Sequence, residues 1–159
     1  ANSWHPRNLR HPPGTAHVII QDGRIVFLNH LRRYYPFCEI EVNDVVESEQ
    51  QVRPGRFAVA RIIHQQRLYG ADHQPALLAA NTFTGSDNDS GIGAMRLANH
   101  NDGPSFTLNE MHFRLRSAEQ PNVRELRCAG GWAFPSSVAY PTLAEMNRAL
   151  GALIGIEIN

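Results

Sequence analysis

Glu110, His112 and Arg114 stand at i, i+2 and i+4 within Ser105–Ser117 (SFTLNEMHFRLRS). If that run is a strand, the three side chains leave one face about 6.5 to 7 Å apart. This spacing can hold an imidazole between a carboxylate and a guanidinium, as proton transfer or anion binding requires. An ordinary solvated strand face has the same pattern, and that is the expectation here. His64, His112 and Glu110 are the candidate residues for a metal-binding or catalytic role. The other histidines are His5, His11, His17, His30, His73 and His100. None of the eight has the H-x-x-x-H or H-x-H spacing that would place two ligands on one helix or strand face. The expectation is therefore no metal, no cofactor and no catalytic residue.

Two cysteines complete the inventory of reactive groups. Cys38 shares a face with Ile40 and Val42 in PFCEIEV, and Cys128 shares a face with Leu126 in VRELRC. Inward positions on two distant strands suggest one disulfide across a β core, and hence an oxidising compartment. The alternative is two free, buried cysteines acting as small apolar groups.

Arg32-Arg33-Tyr34-Tyr35-Pro36-Phe37 concentrates arginine and aromatic side chains, the residue types of interface hot spots. With Trp4, the residues Arg32, Arg33, Tyr34 and Tyr35 are the expected contacts to a protein partner or to a second copy of the chain. Other motifs fall short. Asp89-Ser90-Gly91 matches only three residues of the trypsin-like serine protease pattern. Asp87-Asn88-Asp89-Ser90-Gly91 opens like a calcium loop, but Ala98 stands where the bidentate acid belongs. There is no CxxC, GxSxG or Walker A.

The composition narrows the class further. The chain has 159 residues, 42% of them hydrophobic, and a formal net charge of zero. That length fits one domain. Zero net charge argues against a nucleic-acid partner held by a phosphate-neutralising surface. No apolar run is long enough for a transmembrane helix. Fifteen basic residues are all arginine, so lysine-based Schiff-base or P-loop chemistry is excluded. Ala1, with no basic or apolar leader, reads as a processed N-terminus or a fragment boundary; beside the cysteine pair, processing after export is the better expectation.

Alternation predicts the elements that must position these residues. Residues 1–15 carry Pro6, Pro12 and Pro13 and are expected to form an extended, proline-marked arm. Residues 16–159 are expected to form a single β-rich domain. AHVIIQ and RIVFL flank Asp22-Gly23, a hairpin signal. Arg56–Tyr69 reads as one long strand, with Phe57, Val59, Arg61 and Ile63 on one side and Ala58, Ala60, Ile62 and His64 on the other. Residues 70–103 read as a long irregular stretch with a short strand at Ala94–Ala98. Thr142 and Glu145 have capping-box spacing, and Gly151 stands at a stop position, which predicts a helix over about 142–150. Leu153–Ile158 is a closing strand. The predicted fold is mainly β, an antiparallel sandwich or barrel with that one short C-terminal helix and a final strand.

PGTAHVIIQDG at 13–23, YPFC at 35–38, PGRF at 54–57, LRCAGG at 126–131 and PTLAEM at 141–146 resemble uncharacterised cell-envelope proteins of Gram-negative bacteria. The resemblance implies export to the periplasm or the extracellular space, and it supports the cysteine pairing. It carries over no catalytic residue. The combined expectation is an exported, disulfide-bonded β protein, not an enzyme. It would be a binding or structural component of the cell envelope or an accessory subunit of a larger assembly. The alternative is a small exported metal-binding protein or enzyme that uses its histidines.

Overall fold

Period-two alternation of apolar and polar side chains produces a largely antiparallel β structure. A computed structural model describes residues 2–69, 75–76, 106–134 and 136–157. Its strands are β1 Ser3–Pro6, β2 Leu9–His11, β3 His17–Gln21, β4 Arg24–Val26, β5 Phe37–Val42, β6 Gln50–Val52, β7 Phe57–Tyr69, β8 Pro75–Ala76, β9 Phe106–Arg116, β10 Val123–Ala129 and β11 Ile154–Glu157. One helix, α1, spans Leu143–Leu150. The main sheet runs β11-β1-β7-β9-β10-β5-β3-β4, with β8 beside β7, and β2 pairs with β6 separately. This sheet curls into a half-barrel. Among the described residues, no helix is long and apolar enough to cross a membrane. The calcium-like and protease-like runs at 87–91, the strand expected at 94–98, and His73 and His100 lie outside the described residues.

Helix α1 bridges the two ends of the curled sheet, because it packs on β3 and β5 and also on β11. Met146, Ala149 and Leu150 are its buried stripe. They join Trp4, Ile20, Ile40, Phe57, Phe113 and Leu126 in the main core. Thr142 and Glu145 form the expected capping box. The Asp22-Gly23 turn has positive φ at both residues, as a two-residue type I′ hairpin requires. That turn seats against the helix end: the Gly23 N–H donates to the Ala149 carbonyl at 2.9 Å. A Cβ on Gly151 would lie 2.5 Å from Gly23 Cα, so the close approach needs a glycine.

Three expectations need correction. Residues 1–15 are not a separate arm: β1 lies inside the sheet between β11 and β7, and β2 pairs with β6. Pro6 ends β1 and Pro12 follows β2, so neither removes a donor from a strand interior. The strict two-sided reading of β7 also fails, because a bulge falls between Val59 and Arg61. One extra residue shifts the parity, so Phe57, Val59 and Ile62 all pack on the main core. Finally, the disulfide does not cross between sheets. Cys38 and Cys128 sit directly opposite one another on neighbouring strands β5 and β10, with their Cα atoms 4.0 Å apart.

Candidate functional site

The side chains that point away from the main core build a charged layer. Strand β9 supplies Glu110, His112 and Arg114, and β10 places Glu125 opposite Arg114 and Arg127 opposite His112. His112 Nδ1 lies 2.8 Å from Glu125 Oε1, and Nε2 lies 3.1 Å from Glu110 Oε2. Arg114 Nε is 2.7 Å from Glu125 Oε2, and Arg67 Nε is 2.9 Å from Glu110 Oε2. Arg127 reaches Glu125, Glu41 and Glu39 at 3.4, 3.1 and 3.7 Å. The Glu125–Arg114 and Glu125–Arg127 contacts are Coulombic more than directional, since Glu125 Oε2 and Arg127 Nε lack hydrogen-bond geometry.

This layer is buried, which corrects the expectation of a solvated ladder: Glu110, His112 and Glu125 are 4, 6 and 2% exposed. Burial disfavours the charged imidazole, but hydrogen bonds and attraction from Glu110 and Glu125 outweigh it and raise the His112 pKa above 6.5. Burial likewise acts to raise the Glu125 pKa, yet His112, Arg114 and Arg127 lower it below 4.5. The two carboxylates favour the protonated imidazole, which presents an N–H to each of them. In that state it has no lone pair with which to take a proton or bind a metal.

The candidate trio is only partly brought together. Glu110 and His112 meet, but Ile63 is the residue opposite His112, and His64 falls opposite Met111 on the other face. The His64 ring packs edge-on against Tyr140, with centroids 4.9 Å apart. Among the described residues, no group of three or more His, Cys, Asp or Glu side chains is arranged to hold a metal ion. Sequence reasoning missed Glu125 as a partner of His112, Arg67 as a partner of Glu110 and Arg127 as a partner of Glu125. Their acid-base alternation was visible, but only strand register shows which of them meet.

The second site is the Arg32–Tyr35 segment. Its backbone is clamped from below by the buried Gln21. The Gln21 amide donates to the carbonyls of Arg32, Tyr35 and Pro36 at 2.9, 3.4 and 3.3 Å, and its oxygen accepts from Arg32 N–H at 3.0 Å. The Trp132 N–H donates to the Arg33 carbonyl at 2.8 Å. Above this frame Tyr34, Tyr35 and Phe134 are 63, 56 and 56% exposed. Tyr34 meets Phe106 edge-on, and Phe106 lies against both Trp132 and Phe134. Arg33 stands over Trp132 at 5.0 Å, and Arg32 over Tyr35 at 4.8 Å. Phe106, Trp132 and Phe134 were not anticipated; the bridge between Thr107 and Ala133 brings them in.

Trp4 is not part of this patch. It is 1% exposed and packs on Phe57 with centroids 4.5 Å apart, so its apolar ring is used inside the core.

Gly131 fixes the floor of the patch. Its φ is +97°, and a Cβ there would lie 2.8 Å from the carbonyl carbon and oxygen of Tyr34. Gly131→Ala should therefore destabilise the fold by about 1 to 3 kcal/mol and loosen the patch. Urea unfolding checks the first effect, and a red shift of tryptophan emission in the folded state checks the second. An unshifted spectrum with unchanged stability would remove the clamp argument.

No protein-family model, no curated protein and no solved structure matches this chain. Its class therefore rests on its own residues: a disulfide-bonded, mainly-β antiparallel protein that carries, among the described residues, a buried ion cluster and an exposed aromatic–arginine patch.

Proposed function

We propose that this protein is an exported binding or structural component of the cell envelope, or an accessory subunit of a larger assembly, acting in the periplasm or outside the cell. The observation that carries this reading is the patch of Tyr34, Tyr35 and Phe134, exposed on a backbone that Gln21 and Gly131 hold in place. Aromatic rings on a rigid frame lose little conformational entropy on binding, and flanking arginines add directional contacts. The Cys38–Cys128 bridge supports an oxidising compartment. The reading assigns contact to a protein partner or to a second copy, and no catalytic residue.

Tyr34→Ala with Tyr35→Ala tests it. Hot-spot aromatics contribute about 2 kcal/mol or more, so association should weaken by roughly 30-fold. Sedimentation of the chain, alone and in extract from its own host, would report the loss. Stability should hold, because both rings are exposed. Unchanged association would sink the patch as the contact surface.

A further inference from the structure

Four arginines converge at the end of β9 remote from the aromatic patch. Arg61, Arg114, Arg116 and Arg124 line one open cleft of about 430 Å³. Two backbone irregularities bring them there. The bulge in β7 between Val59 and Arg61 sets Arg61 directly opposite Arg114. The bulge in β10 between Val123 and Glu125 leaves Arg124 as the unpaired extra residue. Like charges directly opposite across an antiparallel pair repel. Arg114 is offset by Glu125 and Arg124 by Glu41, through one nitrogen each of a five-donor fork. Arg61 and Arg116 are exposed and have no acidic partner among the described residues. The excess positive charge is local, since the whole chain is neutral.

We propose that this cleft is an anion site for a ligand bearing two phosphate groups. Guanidinium forks match phosphate oxygens in bidentate geometry, which a lone ammonium does not. Arg114 and Arg116 are two residues apart on one strand, so their stems are about 6.5 to 7 Å apart, and Arg61 and Arg114 face each other at about 5 Å. Two neighbouring anionic groups fit that spacing better than one. The site is independent of the aromatic patch, because Phe106 and Arg116 are separated by about 33 Å of strand.

The test is a titration of the full chain with inorganic triphosphate, followed by backbone amide NMR. Saturable shifts should centre on residues 60–62, 114–116 and 124. Arg61→Gln with Arg116→Gln should weaken binding about tenfold or more while leaving the thermal midpoint near that of the parent protein. Arg32→Gln with Arg33→Gln should leave the affinity unchanged. Absence of saturable shifts in the parent protein would overturn the site, and so would equal weakening in both double variants. Vesicles of phosphatidylcholine, with and without cardiolipin, then distinguish the source. Cardiolipin-dependent binding displaced by triphosphate assigns the site to a lipid headgroup; triphosphate binding without vesicle binding assigns it to a soluble phosphorylated molecule.

Discussion

Reducing the Cys38–Cys128 bridge should lower stability by about 4 to 5 kcal/mol, as the chain-entropy model gives for a loop of this length. The two cysteines are 90 positions apart. The crosslink therefore removes a large share of the unfolded chain's freedom, while in the fold it joins strands that already pair. Loop β5-to-β10 closure is the slowest kind of contact to form, so the bridge should also accelerate refolding. Both sulfurs are shielded, with Cys38 0% and Cys128 1% exposed. Reductant should reach them only through opening of the sheet, so reduction without denaturant should be slow. Urea midpoints of oxidised and dithiothreitol-reduced protein, measured at one pH, give the difference. A gap under about 1 kcal/mol would mean that the unfolded chain was already constrained.

The ion cluster around His112 supplies the other large effect. Glu125→Ala removes a buried carboxylate and leaves His112, Arg114 and Arg127 without their shared counter-charge. Breaking a buried pair from one side destabilises by about 3 to 5 kcal/mol, well beyond what exposed ion pairs contribute. Chemical denaturation near pH 6 would measure it, and a loss no larger than an exposed pair's would show that the burial is relieved by water. The cluster also predicts a pH window with a definite sign. The pKa of His112 is raised in the fold, so its contribution is full below 6.5 and declines as pH rises through the folded value. That of Glu125 is lowered, so its contribution is full above 4.5 and declines as pH falls through the folded value. Both act together between those limits. The stability difference between the parent protein and His112→Gln should therefore be flat from about pH 5 to 6 and shrink at alkaline pH. A difference that grows with pH would reverse the assignment of His112 as a cation.

Much of the architecture was legible in particular residues. Thr142, Glu145 and Gly151 delimit α1 within a residue or two, because caps are local hydrogen-bond chemistry. Asp22-Gly23 specified its turn through backbone conformation alone. The cysteine pair was legible from parity, since Cys38 and Cys128 share faces with Ile40 and Leu126. Prolines misled at the N-terminus: they marked strand ends, while Trp4 and Leu9 decided that the segment is buried. The charged strand face misled in the opposite way. Glu110-x-His112-x-Arg114 reads as solvated because its compensating groups come from the neighbouring strands β7 and β10, whose register β9 alone does not specify.

The fold class, the helix with its caps, the β3–β4 turn and the face each cysteine occupies follow from local residue patterns, because periodicity, capping and turn conformation act over a few residues. Strand assembly was needed to show which charges meet His112, that His64 lies on the other face, that Phe106, Trp132 and Phe134 extend the aromatic patch, and that four arginines share one cleft. Those outcomes depend on strand order, register and two single-residue bulges, and each is set by the packing of distant segments against one another.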